Sequence, residues 1–253
     1  MLSKLQLKEI SSLSQKKNRE AQNSFLIEGR KLIYEGLKSD FSCKLIIINH
    51  DYADSNPDVF TMAKEKKVRI EVLKNSEFKK ISETVSPQGI AAVFEIPKIG
   101  FLNISGESIV VALENISDPG NLGTIIRTCD WFGIENILLS EDCVDLYNPK
   151  VIRSTMGSIF HVTAIEDKKF YSTLTDLKQS NFKILTAHMK GLNVFDYKRK
   201  GKLVLSFCNE ANGPTQKLQK LNDEFLNIPA KGKAESLNVA SAAAIIISAI
   251  SNS

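Results

Sequence analysis

Three stretches of this chain gather polar and glycine residues where an apolar run ends and an amphipathic segment begins. Glu114-Asn115-Ile116-Ser117-Asp118-Pro119-Gly120-Asn121-Leu122-Gly123 follows Ile109–Leu113 and runs into a segment carrying Arg127. Cys208-Asn209-Glu210-Ala211-Asn212-Gly213-Pro214 follows Leu203–Phe207, and Ile228-Pro229-Ala230-Lys231-Gly232 leads through Glu235-Ser236-Leu237-Asn238 into the last apolar segment. Open parallel sheets bind ligands in the crevice beyond the carboxyl ends of their strands, so each stretch is a candidate site loop. In the segment after the first loop, Thr124, Arg127 and Thr128 stand at i, i+3 and i+4 on a polar helix face. A guanidinium held there suits a bidentate clamp on phosphate. A salt-bridged surface arginine is the competing reading.

Other chemistries lack their signatures. There is no G-x-G-x-x-G and no G-x-x-x-x-G-K-[ST], which disfavours a nicotinamide enzyme or a nucleotide triphosphatase. His50, His161 and His188 are scattered, with no metal-ligand spacing and no adjacent nucleophile, and read as hydrogen-bonded scaffold histidines. Cys43, Cys129, Cys143 and Cys208 form no C-x-x-C, so neither a zinc site nor a disulfide scaffold is expected. The N-terminal residues lack the apolar core of a signal peptide, and Val239–Ile250 is too short to span a bilayer. The expectation is a soluble cytoplasmic protein with no metal and no membrane partner.

The elements that must position these loops alternate. Leu2, Leu5, Ile10 and Leu13 offer an opening helix, followed by a polar run from Gln15 to Gln22. Then come a strand at Phe25–Ile27, a helix at Lys31–Leu37, a strand at Leu45–Ile48, a helix from Asn56-Pro57 to Lys66, and strands at Val68–Leu73 and Ile90–Phe94. Pro97, Gly100 and Gly106 mark a linker, giving domains of 1–96 and 108–253 with 97–107 between them. The second part has strands at Ile109–Leu113, Ile137–Leu139, Ile159–Ile165, Phe182–Ala187 and Leu203–Phe207. Asp118-Pro119 starts a helix that Gly133 ends. Strands joined by helices imply a parallel sheet. The last segment, Asn238 to Ile250, is apolar on almost every side and is expected to be buried, as a core helix or at a subunit interface.

Charge is unevenly placed. The chain is 43% hydrophobic and 25% charged, with a net charge of +4. Residues 1–100 hold 17 Lys and Arg against 13 Asp and Glu, while 101–253 hold 16 of each. Lys4, Lys8, Lys16, Lys17, Arg19, Arg30 and Lys31 make a modest footprint for nucleic acid, with a solvated helix face as the competing reading.

The loop residues also form a recognisable set. Asn115…Asp118-Pro119-x-Asn121-x-Gly123-x-x-x-Arg127-Thr128 resembles the first signature of the SpoU/TrmH family of SPOUT methyltransferases. Asn209-Glu210-x-x-Gly213 resembles the second, and Ile228-Pro229…Glu235-Ser236-Leu237-Asn238-Val239-Ala240 the third. Asn148 to Gly157 is similar to the stretch such enzymes carry between the first two. The first part, with Phe25-Leu26-Ile27-Glu28-Gly29 before a helix, resembles the small α/β substrate-binding domain of many members, akin to kink-turn-binding ribosomal proteins.

The resemblance implies an α/β fold with a deep trefoil knot in residues 108–253, a homodimer, and methylation of a ribose 2′-hydroxyl in ribosomal or transfer RNA, ribosomal RNA being preferred. By position it assigns S-adenosylmethionine contacts to Ala187, Cys208, Asn209, Ile228, Ser236 and Leu237. It assigns the catalytic group to Arg127, Asn121, Ser236, Asn238 and Glu210, the last holding the cofactor loop. RNA contacts are expected at Lys16, Lys17, Arg19, Arg30 and Lys31. In such a dimer the arginine acts beside the partner's cofactor. A guanidinium stays protonated, so for Arg127 a phosphate clamp that stabilises the developing alkoxide is preferred to a base. The chain departs from the family at Cys208 and Ala211, where glycine is usual. If the Cys208 position needs positive φ, a side chain there costs on the order of 1–2 kcal/mol; if only its backbone meets the cofactor, the thiol points away. An inactive RNA-binding protein with a spoiled pocket, and an enzyme acting on a base nitrogen, are the alternatives.

Overall fold

The computed structural model describes residues 2–98, 108–209 and 212–252. The chain divides into two compact units, one of residues 1–98 with 147–160 and one of 99–146 with 161–253.

In the first unit the order is α1 (Lys4–Ser11), α2 (Lys16–Gln22), β1 (Ser24–Glu28), α3 (Arg30–Lys38), β2 (Cys43–Asn49), α4 (His50–Ser55), α5 (Asp58–Glu65), β3 (Ile70–Leu73), α6 (Asn75–Phe78) and β4 (Ile90–Glu95). The sheet runs β1-β4-β2-β3. Here β4 is antiparallel to both neighbours while β2 and β3 are parallel, so this sheet is mixed rather than wholly parallel. Ser3 starts α1 with a reciprocal cap: its hydroxyl accepts from Gln6 N at 3.2 Å and its own N–H donates to Gln6 Oε1 at 2.9 Å. One sheet face is covered by Ile10, Leu13, Phe78 and Ile81 over Leu26, Ile47 and Ala91.

The polar run after Gln15 becomes α2 because Arg19 folds inward. Arg19 is 2% exposed, and its Nη1 donates to the carbonyls of Leu13 and Ser14, each at 2.8 Å. It is therefore not part of the exposed basic surface expected for RNA, since burying a guanidinium is tolerable only when its donors are satisfied locally.

The second unit begins with β5 (Ile109–Glu114), α7 (Pro119–Trp131) and β6 (Asn136–Ser140). After α8 (Pro149–Thr155), which belongs to the first unit, come β7 (Thr163–Asp167), α9 (Phe170–Gln179), β8 (Phe182–Asn193), β9 (Lys202–Cys208), α10 (Gln216–Leu221), β10 (Glu224–Asn227) and α11 (Val239–Ser251). The sheet order is β10-β8-β9-β5-β6-β7, and every pairing is parallel. One face packs Val110, Ala112, Ile184, Val204 and Cys208 beneath Leu174 and Leu177 of α9 and Leu218 of α10. Helices α7 and α11 pack against each other.

The strand expected over Ile159–Ile165 is two things. Ser158–Phe160 is a 3₁₀ turn, and the strand starts at Thr163. The Phe160 ring packs edge-on against Phe41 at 5.0 Å and tilted against Phe94 at 5.5 Å, which holds it in the first unit's aromatic core. Strand β8 runs on to Asn193, and the short β10, Glu-Phe-Leu-Asn in sequence, pairs along it. Gly191 permits that approach: a Cβ there would sit 2.4 Å from the Phe225 carbonyl oxygen. Helix α11 is not buried all round. Val239, Ala240, Ala243, Ile246, Ile247 and Ile250 are buried, while Ser241 is exposed and Ala242, Ala244, Ile245, Ser248 and Ala249 are half-buried.

Candidate active site

All three loops leave carboxyl ends of the parallel sheet. The first, between β5 and α7, is pinned at both sides. Asn115 adopts a left-handed conformation at φ 59°; its N–H donates to Ser140 Oγ at 3.0 Å, and Ser140 Oγ donates to Asn115 Oδ1 at 3.3 Å. Asn tolerates this region better than most residues. Asp118 Oδ1 accepts from Asn121 N at 2.8 Å and caps α7, with Pro119 in the first turn. Asn209, from the second loop, donates through Nδ2 to Asn115 O at 3.3 Å and to Ser117 Oγ at 3.4 Å. The first and second loops are thus one hydrogen-bonded assembly.

The second and third loops, with the end of β8, enclose a cavity of about 710 Å³. Ala187, Cys208, Asn209, Ile228, Ser236 and Leu237 all line it. Asn238 does not, but it joins the assembly by donating Nδ2 to Asn121 Oδ1 at 2.9 Å, while its own Oδ1 accepts from Ala240 N at 2.9 Å. Glu210 lies outside the described residues, as does Ala211. Arg127 is exposed on α7, beside Thr124, and is not among the residues lining the cavity.

Cys208 avoids both difficulties raised by its side chain. It is not among the residues with positive φ. It is 9% exposed and packs in the cluster under α9, so its backbone is left to the cavity wall. Burial, and next the neighbouring Glu114, push this thiol well above the ordinary range, so it stays protonated.

Glu114 opens the first loop in the sequence, with nothing in its local context to mark it as a site residue. It is fully buried. Its Oε1 accepts from Tyr171 Oη and from Thr215 Oγ1, each at 2.7 Å, and its Oε2 accepts from Thr215 N at 3.0 Å. The carboxylate therefore ties the far end of the second loop to α9.

His188, expected as scaffold, also lines the cavity; its Nδ1 accepts from Lys190 N at 3.1 Å and its ring lies 4.8 Å from that of Phe225. In the first unit, Lys16, Lys17, Arg30 and Lys31 are exposed. Lys16 pairs with Glu20 at 4.0 Å, and Arg30 with Asp58 at 2.8 Å. Among the described residues no group of three or more His, Cys, Asp or Glu is placed to hold a metal.

Comparison with known proteins finds two family regions in the chain. Residues 108–248 match the model of the SpoU rRNA Methylase family, and residues 4–92 that of the MRM3-like substrate binding domain. The chain is 34% identical over 242 residues to the 23S rRNA (guanosine(2553)-2′-O)-methyltransferase RlmP of Bacillus subtilis, covering 95% of this chain and 94% of that one. It is 33% identical over 156 residues to rRNA methyltransferase 3, mitochondrial, of Homo sapiens, covering 59% of this chain and 36% of that one. The crystal structure of the AdoMet-bound rRNA methyltransferase from Sinorhizobium meliloti superposes with a TM-score of 0.86 at 26% identity, over 98% of this chain and 95% of that chain. The chain belongs to the SpoU rRNA Methylase family.

Proposed function

We propose that this chain transfers a methyl group from S-adenosylmethionine to a ribose 2′-hydroxyl of ribosomal RNA. The observation that carries the reading is the convergence of the second and third loops on one cavity, with the first loop hydrogen-bonded to both. The cavity fits the cofactor: its volume of about 710 Å³ falls in the usual small-molecule range. Its wall of loop backbone and apolar side chains suits a flat adenine edge and an aliphatic chain. S-adenosylmethionine, when bound, supplies an electrophilic methyl group, and no metal is needed.

The protein's part is positioning and electrostatics. Ala187, Cys208, Asn209, Ile228 and Leu237 line the cofactor cavity, and Ser236 presents a hydroxyl there. Asn238 and Asn121 fix the third loop against the first. Glu210, between Asn209 and the rest of the second loop, is assigned to holding that loop. Arg127 clamps the phosphate next to the reacting ribose and stabilises the alkoxide as its proton leaves.

The catalytic unit acts as a homodimer. Arg127 is exposed on α7 and is not among the residues lining its own chain's cavity, an arrangement that suits service to a partner's. The half-buried Ala244, Ile245 and Ala249 of α11 offer an apolar surface for a partner helix. The second and third loops form the trefoil knot of the family. The exposed Lys16, Lys17, Arg30 and Lys31 bind RNA phosphates through the first unit. No described helix is long and apolar enough to cross a membrane, and a cytoplasmic location suits a ribosomal RNA substrate.

Calorimetric titration with S-adenosylmethionine, followed by mapping of ribose methylation across total RNA with and without the protein, tests this. Cofactor binding together with loss of one ribose methylation is expected. No cofactor binding would point instead to an RNA-binding protein without catalysis.

A further inference from the structure

We propose that Glu114 is a specificity-determining residue: a buried carboxylate behind the cavity wall that favours the cationic cofactor over its neutral thioether product. The inference rests on S-adenosylmethionine being the cofactor.

Among the described residues the Glu114 carboxylate is satisfied by hydrogen bonds that it accepts. Each described partner is a donor: the Tyr171 hydroxyl at 2.7 Å, the Thr215 hydroxyl at 2.7 Å and the Thr215 N–H at 3.0 Å, with the Cys208 thiol beside them. These are the contacts that an ionised carboxylate, which only accepts, takes up.

The placement gives that charge reach. Cys208, opposite Glu114 in the β5–β9 pairing, lines the cavity, and so does Pro214, whose peptide to Thr215 supplies one of the N–H donors. The carboxylate is thus one residue behind the wall and fully removed from water. Charges in such surroundings are weakly screened and act over several ångströms. S-adenosylmethionine and S-adenosylhomocysteine share every other group and differ by the methyl group and the positive charge on sulfur. The anion attracts that charge before transfer and has no equivalent to attract after it, so it strengthens cofactor binding and eases product release. A role confined to holding the second loop would affect both molecules alike.

Calorimetric titration of the full chain with S-adenosylmethionine and with S-adenosylhomocysteine separates the two roles. Two variants are compared with the unsubstituted protein. Glu114→Gln keeps the shape and removes the charge. The triple variant Glu114→Met, Tyr171→Phe and Thr215→Val replaces the side-chain network by apolar groups of similar size, a change that buried polar clusters often tolerate. The expected result is a rise of about fivefold in Kd for S-adenosylmethionine, with less than a twofold change for S-adenosylhomocysteine. Equal shifts for the two molecules, or no shift in either, in whichever variant folds, would overturn the proposal. Failure of the unsubstituted protein to bind S-adenosylmethionine would remove the cofactor reading itself, and this inference with it.

Discussion

Asn238 and Asn121, 117 residues apart in the chain, share a hydrogen bond of 2.9 Å from Nδ2 to Oδ1. The same Asn238 side chain starts α11 by accepting from Ala240 N at 2.9 Å and Ser241 N at 3.4 Å. One residue therefore begins the last helix and fastens it to the loop that begins α7. Asn238→Ala should destabilise the protein by about 1–2 kcal/mol, because a cap and a tertiary bond are lost together. Asn121→Ala should cost about 1 kcal/mol, since only the tertiary bond goes. Urea denaturation of the two single variants and the double variant checks this. A double variant equal to the sum of the singles would show that the bond contributes nothing.

Arg19 and Lys17 are near neighbours in sequence, but the first is buried and the second exposed. Arg19→Ala removes two hydrogen bonds to carbonyls, one buried and one partly buried, and should destabilise the first unit by about 2–3 kcal/mol. Lys17→Ala, at an exposed site, should change stability by less than about 0.5 kcal/mol while weakening RNA binding and reducing its salt dependence. Thermal denaturation and filter binding at several salt concentrations provide the two readouts. Reversed effects would contradict the assignment.

Legibility tracked how local the cause was. Asp118-Pro119 starts α7 and Gly133, at φ 69°, follows its end, because capping and turn chemistry reside in the residues themselves. The strand over Ile159–Ile165 failed for a non-local reason: Phe160 is claimed by aromatic rings from positions 41 and 94. Arg19 failed similarly, since a basic residue in a polar run carries no mark that its guanidinium will meet carbonyls five and six residues earlier. Strand β10 has only four residues, too few to mark it in the sequence, and takes its place by pairing along β8. At the site, the cavity residues follow from the three loops, whereas Glu114 becomes visible only when Tyr171 and Thr215 are brought to it.

The thiols carry a pH dependence. Burial, above all, raises those of Cys129 and Cys208 above the ordinary value of 9.0, so the folded protein keeps them neutral where the unfolded chain ionises. Their contribution to stability is fully present below about pH 9 and is lost as pH rises further, because the unfolded state then binds fewer protons. The urea midpoint should fall between pH 9 and pH 10.5. Alkylation by iodoacetamide at pH 8 should be slow at both residues in the folded protein and fast in urea. Rapid labelling under native conditions would contradict their burial.

Dimerisation through α11 should be visible in light scattering at micromolar concentration as twice the chain mass. Ile245→Glu, on the half-buried side of α11, should yield a folded monomer that has lost methylation activity. A wild-type monomer with full activity would show that Arg127 serves its own chain's cavity.

The most direct measurement incubates the purified protein with unmodified ribosomal RNA and S-adenosylmethionine, digests the RNA to nucleosides and weighs them, for the wild type and for Arg127→Ala. The account predicts a nucleoside methylated on its ribose, formed about 10²–10³ times more slowly by the variant at saturating cofactor. A methyl group on the base, no methylated nucleoside, or an undiminished rate in Arg127→Ala would contradict it.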